Sequence, residues 1–154
     1  MVRLAVISDS HWGRTRLERF ARLAREEGFD GIIHCGDGVS DARWLEKHLD
    51  VPVRYVAGNC DPRWICDREL RLSYEQARLL AVHGDLYSVK YDLTSLSYYA
   101  EEAGAQAVLF GHTHQPYAGY VGRVMMVNPG SLREGRYAVM EIDGAKIVPY
   151  LKEF

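Results

Sequence analysis

Five times along this chain an apolar run stops at a short polar cluster: Asp9-Ser10-His11, Gly36-Asp37-Gly38, Gly58-Asn59-Cys60-Asp61, His83-Gly84 and Gly111-His112-Thr113-His114. Each cluster follows a segment that reads as a β-strand. Strands whose carboxyl ends point the same way bring such clusters together however far apart they lie in sequence. Any fold for this chain has to accommodate that convergence.

The segments between the clusters indicate the fold class. Over the first half, strand patterns at residues 3–8, 31–35 and 53–57 alternate with helical patterns at 15–27 and 41–49. In the first helix Leu17, Phe20, Ala21 and Ala24 recur at helical spacing, with Arg16, Arg19, Arg22 and Glu26 between them as a solvated face. This βαβαβ order predicts a parallel sheet with right-handed crossovers and with function in the loops after the strands. The second half reads as hairpins. Residues 69–73 and 77–82 flank Glu75-Gln76, 117–121 and 124–127 flank Gly122-Arg123, and 137–142 and 146–151 flank Asp143-Gly144. A helix at 93–103 and a strand at 107–110 complete the set. The expectation is a single α/β domain spanning 1–154, with two packed sheets and outer helices. The pattern does not specify the order of strands.

Composition excludes several function classes. At 47% apolar and 26% charged residues the chain matches globular usage, and a net charge of -2 with a pI near 6.3 argues against a broad nucleic-acid or acidic-membrane surface. No stretch approaches the roughly 20 apolar residues that span a bilayer, and the run from Leu4 to Ile7 is too short for a secretory signal. Cys35, Cys60 and Cys66 form an odd set without zinc-finger spacing. A cytoplasmic location is the expectation. Ten tyrosines, Tyr98 and Tyr99 among them, are compatible with packing or with the interface of a homodimer or larger homo-oligomer.

The residue types in the clusters select the chemistry. Asp9, His11, Asp37, Asn59, His83, His112 and His114 form a mixed nitrogen and oxygen donor set, which suits Mn, Fe, Co, Ni or Zn better than Ca or Mg. If the segments are extended, residues i and i+2 share a side, so Asp9 pairs with His11 and His112 with His114. Seven donors exceed one tetrahedral ion but fit two divalent ions about 3.5–4 Å apart bridged by one carboxylate, for which Asp37 is the best candidate. Glycines 36, 38, 58, 84 and 111 flank the donors, where turns need positive φ or backbone must approach an ion or phosphate closely. His34 reads as a hydrogen-bonded core or supporting residue and His48 as a surface residue. Trp12, Arg14 and Arg133 are candidates to line a substrate pocket.

The D-x-H, G-D, G-N, G-H and G-H-x-H blocks, in that order, resemble the calcineurin-like metallophosphoesterase superfamily over nearly the whole chain. The block Gly58-Asn59-Cys60-Asp61 and the later Asn128-Pro129-Gly130-Ser131 are most similar to its compact branch, typified by bacterial YfcE phosphodiesterases and related to the retromer subunit Vps29. The resemblance implies a four-layer α/β/β/α sandwich of two mixed β-sheets flanked by helices. It implies one metal on Asp9, His11, Asp37 and His114 and a second on Asp37, Asn59, His83 and His112, with manganese the first expectation for such a donor set. It further implies hydrolysis of small-molecule or nucleotide phosphodiesters, for which a metal-bridging hydroxide is the expected nucleophile and Asp37, Asn59, His83 and Cys60 are the expected catalytic set. Cys60 departs from the wider superfamily, which carries a histidine after the asparagine to assist the leaving group. A weak acid at that position favours diesters with activated leaving groups. The alternative expectation is a metal-binding scaffold or protein-interaction module of the Vps29 type.

Overall fold

Strands buried on both faces are apolar at consecutive positions, and the central strands of this chain are of that kind. The computed structural model describes residues 1–154. It contains β1 (Val2–Ile7), α1 (Arg14–Glu27), β2 (Gly31–His34), α2 (Val39–His48), β3 (Val53–Tyr55), β4 (Glu69–Tyr74) and β5 (Ala77–Val82). These are followed by α3 (Thr94–Glu102), β6 (Ala107–Leu109), β7 (Tyr117–Val121), β8 (Val124–Asn128), β9 (Arg136–Asp143) and β10 (Lys146–Glu153). Two single-turn 3₁₀ helices, Asp85–Tyr87 and Leu132–Glu134, lie in connections that the sequence pattern leaves as loops.

The strands form two mixed five-stranded sheets, ordered β10-β9-β1-β2-β3 and β4-β5-β6-β8-β7. Within the first, β1, β2 and β3 run parallel while β9 and β10 add antiparallel. In the second, β5, β6 and β8 run parallel between antiparallel β4 and β7. The hairpin reading of the second half therefore holds for β4-β5, β7-β8 and β9-β10, although each hairpin joins a different edge of the sheets. Strand alternation sorts the apolar side chains into three cores. Leu4, Val6, Ile33, Leu79, Leu109, Val127 and Met140 pack between the sheets. Their neighbours Ala5, Ile7, Ile32 and Val139 face Leu17, Phe20 and Ala21 of α1 and Leu45 of α2. On the far side Leu80, Val108, Phe110 and Met126 face Leu96 and Ala100 of α3. Three cores between four layers make the α/β/β/α sandwich.

Helix α2 starts at Val39, two residues before the position that the sequence pattern suggests. The carboxylate of Asp61, from a different loop, accepts hydrogen bonds from the Gly38 and Val39 N–H groups and so caps the helix from outside its own sequence. Beneath the first sheet, Phe20 is fully buried with its ring 5.8 Å from Tyr137 and 6.3 Å from Phe154. Truncation there removes a large side chain from a closed core. Phe20→Ala is expected to lower unfolding free energy by about 3–5 kcal/mol in urea denaturation. A loss under about 1 kcal/mol would contradict this packing.

Candidate metal centre

The five clusters leave the carboxyl ends of β1, β2, β3, β5 and β6, and there the backbone stops being extended. Asp9, His11, Asp37, His112 and His114 have φ of 53°, 44°, 60°, 70° and 62°, a conformation costing roughly 1–3 kcal/mol for each residue with a Cβ. The expected extended pairing of Asp9 with His11 and of His112 with His114 is therefore corrected. Left-handed turns turn these side chains inward, because ladder pairing has ended and loop-to-loop bonds have replaced it. The Asp9 and His11 N–H groups donate to Gly36 and Asp37 carbonyls, and the Gly111 N–H donates to the carbonyl of His83. Gly58 and Gly111 are required for space. A Cβ on either would collide with the carboxylate of Asp37 or Asp9, respectively.

Each carboxylate is held by one oxygen and presents the other. Asp9 Oδ2 accepts the Ser8 hydroxyl at 2.6 Å and the His112 N–H at 3.1 Å, while its Oδ1 is buried without a hydrogen-bond partner. Asp37 Oδ1 accepts the Cys60 N–H at 2.8 Å, leaving Oδ2 at 3.2 Å from His83 Nε2 and 3.8 Å from His11 Nε2. On the imidazole of His83, Nδ1 lies 2.7 Å from the Cys35 carbonyl and so carries the proton. Its Nε2, buried and out of line for a hydrogen bond, then points a lone pair at Asp37 and at Asp9 Oδ1, 3.8 Å away. His114 Nε2 stands 3.1 Å from Asp9 Oδ1 and 3.3 Å from His11 Nε2. Lone pairs and negative charge facing one another at these distances fit a divalent cation. Three groupings offer themselves: Asp9 with His11 and His114, Asp9 with Asp37 and His83, and His11 with Asp37 and Cys60.

Electrostatics agree. Burial works against ionisation of Asp37, but His83, the Cys60 N–H and His11 outweigh it and hold the carboxyl well below the usual range. Burial pulls the pKa of His83 down, yet the Asp37 and Asp9 carboxylates raise it overall, the response of an imidazole that takes up a proton where a cation would otherwise sit. Two sequence-predicted donors stand further out. His112 packs its ring 5.1 Å from that of His83, and burial lowers its pKa. Exposed Asn59 turns its amide toward Cys60 Sγ at 3.6 Å. The Cys60 thiol, also exposed, shares a grouping with His11 and Asp37, and burial together with the nearby Asp37 charge raises its pKa.

Sequence reasoning missed the residues that hold the loops. Buried Asp61 accepts the N–H groups of Asp37, Gly38, Val39 and Gly58 at 2.8–3.0 Å, tying the loops after β2 and β3 into one unit. Asn128 and Ser131, at the end of β8, bind the Gly111 carbonyl and the Asp9 carbonyl. The only sequence signal for these was their place in the Gly58–Asp61 and Asn128–Ser131 blocks. His34, expected as a supporting residue, receives the Gly36 N–H on Nδ1 at 3.1 Å, so its Nε2–H donates to Ser10 Oγ at 2.9 Å. Arg14 does not enter the site. Its guanidinium lies 5.2 Å over the ring of Trp44, whose other neighbour is the surface residue His48. Trp12 is half exposed, 6.1 Å from the His11 ring. Two cavities border the centre, one of about 650 Å³ along the loop from Ala57 to Arg68 and one of about 490 Å³ beside His11 and His114.

Two outcomes follow from these supports. Asp61→Ala strips the acceptor from four buried N–H groups and is expected to cost about 3 kcal/mol or more by urea denaturation, with a loss below about 1 kcal/mol counting against the role. For His34, burial lowers the pKa from 6.5 to about 4. Between these values the unfolded chain binds the proton that the folded chain refuses, so stability rises with pH across that window and falls as pH drops through it. The wild type should lose about 3 kcal/mol more than His34→Gln between pH 7 and pH 4. Equal losses in the two proteins would refute the assignment.

Comparison with known proteins agrees with this geometry. Residues 2–145 match the calcineurin-like phosphoesterase superfamily domain. The chain is 35% identical over 144 residues to the probable metallophosphoesterase YsnB of Bacillus subtilis, covering 90% of this chain and 83% of that protein. It is 26% identical to the phosphodiesterase YfcE of Escherichia coli, covering 86% of this chain and 80% of the other. Chaetomium thermophilum Vps29 superposes with a TM-score of 0.85 over 99% of this chain and 89% of its own at 14% identity, a likeness of fold alone. A metal-dependent hydrolase family thus accounts for the buried cluster of carboxylates and imidazoles, and the chain belongs to the calcineurin-like phosphoesterase superfamily.

Proposed function

We propose that this protein, folded as a single domain over 1–154, is a phosphodiesterase working through two divalent ions. The observation that carries the reading is the pair of buried, partnerless atoms, Asp9 Oδ1 and His83 Nε2, within a donor set spaced 3.1–3.8 Å. One ion would lie among Asp9, His11, Asp37 and His114 and the other among Asp37, Asn59, His83 and His112, with Asp37 shared. Mn is the first choice for this nitrogen and oxygen set, with Fe, Co, Ni or Zn chemically suitable. When bound, the ions supply a nucleophile at neutral pH and neutralise charge on the phosphoryl oxygens.

The chain's own groups orient that chemistry. The Cys60 N–H fixes Asp37, the Ser8 hydroxyl and the His112 N–H fix Asp9, and the Cys35 carbonyl sets the His83 tautomer. Hydrolysis adds a water oxygen to phosphorus, breaks one ester P–O bond and leaves a proton to be placed on the departing oxygen. Cys60, whose thiol shares a grouping with His11 and Asp37, is the candidate for that task and a weak acid, so esters with activated leaving groups should react fastest. The relative named a phosphodiesterase in Escherichia coli supports this class. A small phosphodiester substrate and a cytoplasmic location complete the proposal.

The test is turnover of bis(p-nitrophenyl) phosphate by metal-stripped protein reloaded with Mn, Ni, Co, Mg or Zn. Activity should depend on added ion and fall to background in Asp37→Ala, whose ion content should also drop. Turnover by Asp37→Ala at wild-type ion dependence would overturn the assignment. Ion binding by the wild type without turnover of any diester would favour the metal-binding scaffold instead.

A further inference from the structure

The cavity of about 490 Å³ beside the centre is lined by His11, His114, Ser131, Arg133 and Glu134. Two of these are proposed metal ligands, and Ser131 is committed to the Asp9 carbonyl at 2.8 Å. Arg133 is different. It is exposed, and its guanidinium forms no hydrogen bond, ion pair or stacking contact; Arg22, Arg54, Arg63, Arg78 and Arg123 are likewise unengaged, but of all these only Arg133 lines the cavity shared with His11 and His114, whereas Arg14 is held over Trp44. Glu134, in the same turn, makes no ion pair with it.

Its base is anchored to the metal loop. The Leu132 N–H donates to the Ser8 carbonyl at 2.9 Å, Ser131 Oγ donates to Asp9, and the Arg133 stem lies close against Gly13, where a Cβ would come within 3.4 Å of Arg133 Cγ. The turn that carries Arg133 is thus fastened to the loop that carries Asp9 and His11. A guanidinium is a planar fork of donors that matches carboxylate or phosphate, and an unengaged one at a fixed position leaves that capacity for a ligand.

We propose that Arg133 determines substrate specificity, and that the preferred substrate is a diester in which one arm carries a second anionic group, a carboxylate or phosphate, seated in this cavity. The inference rests on the phosphodiesterase reading, which supplies the reacting phosphate beside His11 and His114. The arm enters past the two imidazoles and its anion meets Arg133. Glu134, on the same rim, disfavours arms that place negative charge away from the guanidinium.

The experiment compares bis(p-nitrophenyl) phosphate with 4-carboxyphenyl 4-nitrophenyl phosphate, which share a leaving group and differ by a carboxylate in place of a nitro group on the arm retained. Wild-type kcat/KM should favour the carboxylated diester by about tenfold or more, chiefly through KM, as expected for a charge-assisted pair. In Arg133→Ala the ratio between the two substrates should collapse toward one, and Arg133→Lys should restore part of it. A ratio that is absent in the wild type or survives in Arg133→Ala overturns the proposal. A second readout separates this failure from that of the phosphodiesterase reading. Binding of 4-carboxyphenyl phosphate to the metal-loaded protein, followed by calorimetry, should weaken about tenfold in Arg133→Ala even if neither diester is turned over. Unchanged binding there also overturns it.

Discussion

Asp9 and Asp37 present carboxylate oxygens within 4.8 Å of each other and of His83 Nε2 in a buried site. Two like charges about 4 Å apart repel by about 4 kcal/mol at the effective dielectric of a protein. Much of the surrounding architecture manages that repulsion. Each carboxylate surrenders one oxygen to backbone or hydroxyl donors, and the remaining oxygens converge where a cation restores neutrality. The imidazoles contribute lone pairs to the same point, and the Cys35 carbonyl fixes the orientation of His83.

That arrangement carries a backbone cost, met by the loops around it. Five donor residues occupy left-handed conformations, which persist only where neighbouring structure overdetermines them. Asp61 gathers four N–H groups from two loops, His34 joins the Gly36 N–H to Ser10, and Asn128 and Ser131 bind the loops from the second sheet and the first. Beneath them three apolar cores hold the strand ends in register. Rigidity comes from the sandwich, and the strain is concentrated in the loops at its carboxyl edge.

Much of the fold was legible because strand and helix periods differ and two of the three hairpin turns carry glycine. The βαβαβ pattern and the three hairpins were readable to within a few residues. The expected start of α2 failed for a physical reason: its cap, Asp61, lies twenty-two residues beyond Val39 and acts only after folding. The two 3₁₀ turns carry no periodic signal. In the site, the donor residue types were readable, whereas the extended geometry assumed for Asp9-Ser10-His11 and His112-Thr113-His114 was replaced by left-handed turns.

The sequence by itself determined the layers and the residue types available at the strand ends, since burial periodicity and donor chemistry are local properties. Tertiary structure decided the order of the strands, the loop-to-loop bonds of Asp61, His34 and Asn128, and which oxygen of each carboxylate was left without a partner. It also decided the fates of the arginines. Arg14 and Arg133 are chemically equivalent in the sequence, yet one lies over Trp44 and the other remains unengaged beside His11 and His114. Such differences arise because hydrogen-bond and charge partners are chosen across the folded chain, between residues separated by tens of positions.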